Sequence, residues 1–443
     1  MDYVQITPSQ REEMLKAVGA ASIADLLKQI PDPFRLSRPL DLPQALDELS
    51  LRKELADLAA MNHSTDQQVC FLGAGAYDHF IPAVVDHLAM RSEFLTAYTP
   101  YQAEASQGAL QAFFEFQTMI CQLTGMAVSN ASLYEGASAL AEAALMALNV
   151  SGKRKLLVSH GVHPHYRRVL HTYLSGLPVT YTEIPLHDGL TDTTRLEAEL
   201  DEDTAAVILQ SPNFLGLIEH VQTIAKFAHA NNSLAIQSFN PLSLGLLKRP
   251  GQTDVDIAVA EGQPLGIPLQ FGGPYLGLFA CKSDFMRKMP GRLVGQTVDA
   301  DGKRAFCLTL QTREQHIRRE KATSNVCTNQ GLLALRAAVY LAAMGPSGLQ
   351  HVAQLCHDKA AYLANRLNHA GLTLRFPHHP FFNEIVVQLK RPVRDVLDAA
   401  RKQSILPGYP LADDYPDLHD CLLIAVTEKR TRQEIDRLVD IMR

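Results

Sequence analysis

Between about residues 66 and 310, short apolar runs alternate with helical patterns, and this alternation limits the fold more than any other feature. Lys155–Ser159, Val179–Ile184, Ala205–Gln210, Leu234–Phe239, Asp254–Ala260 and Tyr275–Cys281 read as strands. Glu104–Thr124, Glu135–Ala147, His163–Ser175, Thr194–Leu200 and Gln222–Ala230 read as helices between and around them. Several strands are apolar at consecutive positions, the pattern of strands covered on both faces. Right-handed crossovers at this spacing give an α/β fold with a mostly parallel sheet. Ligands of such sheets bind beyond the carboxyl ends of the strands.

The flanks read differently. Residues 1–65 form a helical extension, opened by Thr7-Pro8-Ser9-Gln10, which offers an N-cap, a proline at the first helical position and a capping-box glutamine. Ser22-Ile23-Ala24-Asp25 caps a second helix, and 42–61 reads as a longer one. Residues 66–320 hold the large α/β domain. Residues 321–443 hold the end of a long helical pattern, running from Arg313 to Met344, and a smaller C-terminal α+β domain. In that domain Thr373–Phe376, Phe382–Leu389 and Leu422–Val426 read as strands, with helices at Val393–Gln403 and Arg432–Met442. A length of 443 residues fits two or three such domains.

Charge and cysteine usage exclude several function classes. The net charge is −6 with both signs interspersed, so no basic stripe marks a nucleic-acid surface. The seven cysteines include no C-x-x-C pair, which favours a reducing, cytoplasmic setting over a disulfide framework. The polar N-terminus does not read as a secretory signal, and no apolar run is read as a membrane span.

Several segments carry chemistry. Gly73-Ala74-Gly75 lacks the third glycine of a dinucleotide fingerprint and reads as a turn. His160, His163 and His165 sit at a strand-to-helix junction with no cysteine or carboxylate beside them, so a structural or substrate-side role is expected and no metal. Residues 97–108 place Tyr98, Tyr101, Gln102, Glu104 and Ser106 before a long amphipathic helix. The phenols read either as surface anchors or as hydrogen-bonding groups toward a bound amine or carboxylate. Asn130 to Gly136 leads into an alanine-rich helix, either as an anion site at a helix N-terminus or as an ordinary N-cap by Ser132. The charged run 313–321 abuts a small polar loop, 322–330, and reads as a solvated face or as a surface toward a partner or anion. Finally, the strand ending at Glu261 runs into a Gly- and Pro-rich loop, 262–277. That is where an α/β enzyme using pyridoxal phosphate keeps its Schiff-base lysine, and no lysine occurs between Lys248 and Lys282.

Longer stretches carry a family resemblance. They are TAYTPYQAEASQGALQAFFEFQTMICQLTGM at 96–126, NASLYEGASALAEAALMA at 130–147, SPNFLGLIE at 211–219, NPLSLGLLKRPG at 240–251, EGQPLGIPLQFGGPYLG at 261–277 and the run from Met289 to Gln330. On these residues the chain resembles the α subunit, or N-terminal half, of the glycine cleavage system P-protein, a decarboxylating, aminomethyl-transferring glycine dehydrogenase. The resemblance implies a fold type I, pyridoxal-phosphate-dependent transferase-like fold. It implies that the chain ends where the first half would end, and that it pairs with a β subunit in a heterotetramer. Pyridoxal phosphate and its lysine are then expected on that β subunit, with none bound covalently here. The implied reaction decarboxylates glycine and passes the aminomethyl group to the lipoyl group of the H-protein, releasing carbon dioxide. By position in the matching motifs, Tyr98 and Tyr101 are expected near the substrate, with Gln102, Glu104, Ser106 and Glu135 as supporting polar residues. Lys321, Thr323, Asn325 and Thr328 are expected to reach the partner's cofactor or the lipoyl entrance. The alternative is a non-catalytic binding or regulatory subunit derived from a fold type I enzyme. A self-sufficient enzyme is disfavoured by the lysine-free loop.

Overall fold

The computed structural model describes residues 5–95 and 98–443; Thr96 and Ala97, inside the aromatic segment, lie outside the described residues. Residues 1–63 form one unit and residues 64–443 another.

In the first unit, α1 (Pro8–Ala17) starts as its sequence dictates. Thr7 Oγ1 accepts from the Gln10 amide, and the Gln10 side chain accepts from the Thr7 amide. Ser22 caps α2 (Ile23–Leu26). α3 spans Glu48–Ala59, shorter than the 42–61 pattern, because Asp47 accepts the Ser50 amide at 2.9 Å and sets the start there. No residue between 5 and 63 is buried, although α3 carries Leu49, Leu51, Leu55 and Leu58.

The second unit contains α4 (Ala83–Ala89), α5 (Gln107–Thr124), α6 (Gly136–Ser151), α7 (Pro164–Leu174), α8 (Thr193–Glu199), α9 (Val221–Ala230), α10 (Gln315–Arg318), α11 (Gly331–His369), α12 (Val393–Arg401) and α13 (Arg432–Met442). Its main sheet is built from β1 (Val128–Ser129), β2 (Lys155–Ser159), β3 (Thr180–Ile184), β4 (Thr204–Gln210), β5 (Leu234–Phe239), β6 (Ile257–Glu261) and β7 (Gly277–Cys281). The spatial order is β1-β7-β6-β5-β4-β2-β3. The pairings from β6 through β3 are parallel, and those of β7 with β6 and β1 are antiparallel.

The apolar strands divide by alternation. Leu157, Val207, Leu209, Ala258 and Leu278 pack on one face with Leu110 and Phe116 of α5, Ile224 of α9, and Ala334 and Tyr340 of α11. Leu156, Val158, Ile208, Val259 and Phe279 pack on the other with the alanines of α6 and Leu170 of α7. A strand with both neighbours covered has no polar face to show, which explains the unbroken apolar runs.

Two elements depart from the sequence pattern. β8 (Leu293–Val298) and β9 (Arg304–Thr309) form an antiparallel hairpin inside what reads as a polar stretch. The signal was present as Asp301-Gly302, a turn dipeptide between the two strands. The helical pattern from Arg313 does not begin its long helix until Gly331, and α11 bends at Gly345, where φ is 62° just before Pro346. Among the described residues α11 is the one helix long and apolar enough to cross a membrane; here its apolar side packs on α5 and the sheet.

Beyond α11, β10 (Thr373–Leu374), β11 (Glu384–Gln388), β12 (Tyr409–Pro410) and β13 (Cys421–Ala425) form an antiparallel sheet in the order β10-β11-β13-β12. α12, α13 and the far half of α11 cover it. Glu384 of β11 and Ala74 meet across 310 positions of sequence, so this sheet borders the carboxyl ends of the main strands.

Candidate functional site

Two polar clusters flank segment 130–136, one inside and one outside. The inner cluster lies beyond the carboxyl ends of β4, β5 and β6, against the N-terminus of α6. The cap of α6 is Glu135 and not Ser132. Its carboxylate accepts from the Ala137 amide at 2.6 Å, the Ser138 amide at 3.0 Å and the Ser138 hydroxyl. Ser132 instead has a φ of 116° and sits before the turn. Glu261, at the end of β6, accepts the Gly136 amide at 3.0 Å with one oxygen. Its other oxygen accepts Gln263 at 2.9 Å and Leu276 at 3.0 Å. Burial pushes the Glu261 carboxyl up to about 8, against the pull of those three N–H donors.

Aromatic groups fill the space beside these carboxylates. His163 stacks on Tyr166, with centroids 4.7 Å apart and planes within 10°. Its Nε2 donates to the Ala74 carbonyl at 2.7 Å, and its Nδ1 accepts the His165 amide at 3.0 Å. Both ring nitrogens are thus engaged, and burial holds His163 neutral, down at about 4. His163 therefore packs and caps. His160 pairs with Glu183 at 2.8 Å on the outside. A Cβ at Gly136 would overlap Tyr166 Oη, so only glycine lets the phenol reach the helix end. Across the cluster, Glu384 accepts the Ala74 amide and the Tyr77 hydroxyl, both at 2.8 Å, and burial pushes it up to about 7. The cavity left is about 30 Å³, room for one or two waters.

The outer cluster is organised by a residue that the sequence patterns did not single out. Arg292 is 4 % exposed. Its guanidinium donates to Tyr101 Oη at 3.0 Å, the Cys327 carbonyl at 2.7 Å and Asn329 Oδ1 at 3.0 Å. Asn329 in turn donates to the Ala131 carbonyl at 2.8 Å and Ser132 Oγ at 3.0 Å. Tyr134 Oη accepts the Cys327 amide at 3.0 Å. Tyr98 Oη lies 3.0 Å from Thr328 Oγ1, and the Tyr98 side chain stands out into solvent, 86 % exposed. Arg313 fixes the start of the charged run by donating to the Leu310 and Gly291 carbonyls, both at 2.9 Å. Arg292 lies in Met289-Pro290-Gly291-Arg292, between strands, where a single arginine gives no periodic signal.

The expected site residues divide accordingly. Tyr98, Tyr101 and Thr328 come together in the outer cluster, beside a cleft of about 400 Å³ lined by Phe94, Pro100, Phe113 and Leu332. Thr323 donates to the Arg313 carbonyl at 3.3 Å, and Lys321 and Asn325 are exposed on the same loop. Gln102 and Glu104 are exposed and make no side-chain hydrogen bond among the described residues, and half-buried Ser106 begins α5 without capping it. Glu135 caps α6, beside Glu261 and Tyr166 of the inner cluster.

A mostly parallel seven-stranded sheet covered on both faces, joined by a long bent helix to an antiparallel C-terminal sheet, is the fold type I architecture of pyridoxal-phosphate enzymes. A Lactobacillus brevis glutamate decarboxylase shares this fold at a TM-score of 0.68 and 12% identity, covering 93% of this chain and 94% of that one. The chain belongs to the family described as "Glycine cleavage system P-protein", whose profile matches residues 1–442. It is 53% identical over 438 residues to the "Probable glycine dehydrogenase (decarboxylating) subunit 1" of Geobacillus kaustophilus (strain HTA426), covering 99% of this chain and 98% of that one. A crystal structure of glycine decarboxylase (P-protein) in inhibitor-bound form superposes at a TM-score of 0.92 with 44% identity, covering 100% of this chain and 99% of that one.

The inner cluster of this chain does not fit pyridoxal phosphate. The helix N-terminus that would take a phosphate already holds two carboxylates, Glu135 and Glu261. Tyr166 stacks on His163 beside that helix end, and segment 262–277 offers no amine. A doubly charged phosphate beside the Glu135 carboxylate in a cavity of about 30 Å³ is opposed by both charge and volume.

Proposed function

We propose that this chain is the α subunit of a two-chain glycine decarboxylase, with a β subunit that carries both the Schiff-base lysine and pyridoxal phosphate. The observation that carries the reading is the pairing of a filled, lysine-free inner cluster with an outward-facing wall of phenols and hydroxyls backed by Arg292. The exposed leucines of α3 support a partner as well, since apolar residues along a helix need a cover in the working assembly. The cofactor on the partner supplies the electron sink for decarboxylation of glycine. The residues of this chain close the site, exclude water and orient the substrate.

Tyr98 and Tyr101 face the substrate in this reading. Arg292 holds the Tyr101 hydroxyl and, through Asn329 and the Cys327 carbonyl, sets the 327–329 turn that carries Thr328. Lys321, Thr323, Asn325 and Thr328 border the path by which the lipoyl arm of the H-protein reaches the site, or the partner's cofactor phosphate. Gln102, Glu104 and Ser106 line the approach to Tyr98 and Tyr101. Glu135 is assigned to the sealed inner cluster instead. The assembly is a heterotetramer in the cytoplasm.

Borohydride reduction followed by peptide mapping tests the proposal. The isolated chain is expected to yield no pyridoxyl-lysine, and the complex with the β subunit is expected to yield one on the β chain only. Glycine–bicarbonate exchange should require both chains and H-protein. A pyridoxyl adduct on this chain, or exchange by the β chain alone at the full rate, would overturn the assignment.

A further inference from the structure

Away from both clusters, three residues from distant parts of the chain converge in a buried pocket of polar atoms. His79 follows the Gly73–Gly75 turn, Cys356 lies midway along α11, and Glu428 follows β13. His79 Nδ1 is 2.7 Å from Glu428 Oε2, and Cys356 Sγ is 3.4 Å from the same oxygen. The His79 and Glu428 side chains are 3 % and 9 % exposed, and Cys356 is fully buried. Among the described residues this is the one group of three or more such side chains whose ligand atoms all lie within 4.8 Å of each other.

Hydrogen bonding alone leaves this cluster incomplete. The hydroxyl of Tyr340, which adjoins Cys356 and Glu428, is buried without a partner. Such an orphan costs roughly 1–3 kcal/mol and marks a missing water or ion. We propose that His79, Cys356 and Glu428 bind a zinc ion, with a water in the fourth position that also meets the Tyr340 hydroxyl.

The chemistry suits that ion. Thiolate with imidazole and a carboxylate selects zinc over the hard cations, which prefer all-oxygen shells. Tetrahedral zinc, with bonds of about 2.0–2.3 Å, sets its ligand atoms roughly 3.3–3.7 Å apart. The sulfur–oxygen distance already fits, and the nitrogen–oxygen distance must open by about half an ångström. The thiolate and carboxylate together neutralise the dication. The supporting groups are in place: the Phe80 amide holds Glu428 Oε1 at 2.6 Å. Asp78 takes up Lys429 at 2.6 Å and Arg430 at 3.1 Å, so these cations are paired elsewhere. The ion ties the end of β13 to the 78–80 turn and to α11, across 349 and 72 positions of sequence.

The test uses the untagged, full-length chain after chelator treatment. Titration with zinc chloride by calorimetry is expected to show one tight equivalent per chain and a rise in melting temperature. Cobalt in its place is expected to give a thiolate-to-cobalt charge-transfer band. Cys356→Ser should abolish that band, and His79→Gln should weaken zinc binding at least ~100-fold. Cys327→Ser, which removes the exposed cysteine, should leave the band unchanged. Absence of stoichiometric uptake by the wild-type chain, or an undiminished band in Cys356→Ser, would overturn the site and leave an ordered water as its occupant. If the variants do not fold, the cobalt spectrum of the wild-type chain still decides the matter.

Discussion

The inner and outer clusters share segment 130–136 and have opposite characters. Inside, every formal acceptor is matched: Glu135, Glu261 and Glu384 accept main-chain amides or a tyrosine hydroxyl, and about 30 Å³ stays empty. Outside, Arg292 is matched on its guanidinium tip, but the tyrosines it supports remain open, with Tyr101 52 % and Tyr98 86 % exposed. The place where a parallel sheet usually takes its ligand has been closed by the chain's own side chains. The hydrogen-bonding capacity left over faces outward. In the proposed assembly the chain seals its own pocket and furnishes a wall for its partner's.

Five substitutions can break or sharpen that contrast. The largest effect is expected from Arg292→Ala. It should lower glycine–bicarbonate exchange by the reconstituted complex at least ~100-fold, because a misplacement of about 1 Å costs that much. Circular dichroism must show the variant folded. Near-wild-type exchange by a folded Arg292→Ala chain would mean that the outer wall does not serve the reaction.

Next comes a pH effect from the inner cluster. Glu384 has its folded value raised from 4.5 to about 7, so the stability it lends is complete below about 4.5 and is lost as pH rises through about 7. The full swing is about 3 kcal/mol. Glu261, raised to about 8, acts in the same direction, whereas His163, lowered to about 4, costs stability as pH falls below its ordinary value of 6.5. Glu384→Gln isolates one contribution. Glutamine can accept the Ala74 amide and donate to the Tyr77 oxygen, so both bonds survive. The difference in unfolding free energy between wild type and variant, followed by urea denaturation from pH 5 to 8, should slope in the variant's favour as pH rises. A flat difference would remove the protonated carboxyl from the description of the inner cluster.

Gly136→Ala should cost roughly 1–3 kcal/mol in the same assay, because its methyl group meets Tyr166 Oη. Unchanged stability would show the inner cluster to be looser than its geometry. The smallest stability effects belong to the outer wall. Tyr98→Phe and Tyr101→Phe should leave unfolding free energy within about 0.5 kcal/mol, yet each should cost more than ~1 kcal/mol of transition-state stabilisation in the exchange reaction. Wild-type kinetics in both would remove the tyrosines from the site.

Much of this was legible in advance. The apolar runs from Lys155 to Cys281 and the helical patterns between them gave the sheet and its layers, because burial on both faces leaves a direct trace in composition. Thr7 and Gln10 fixed α1 through contacts three residues apart. Other features left no local trace. Ser132 has the usual chemistry of a cap, but its φ of 116° removes it from the role, and Glu135 caps α6 instead. Arg292 is one arginine in a Pro-Gly turn, and its partners lie up to 191 positions away. The β8–β9 hairpin carries a turn signal in strands that mix apolar with polar residues and are half exposed, too weak to stand out from its surroundings.

By itself the sequence determined the fold class, the absence of a lysine from the loop after β6, and the aromatic segment before α5. These are matters of period, residue type and presence, which survive without coordinates. The tertiary structure decided which side each group serves. Glu135 and Glu261 become a matched pair at one helix end only because β6 brings residue 261 beside residue 136. His79, Cys356 and Glu428 meet only because α11 crosses between the turn and the last strand. Proximity across hundreds of residues is a property of the packed core, and no local pattern of residues encodes it.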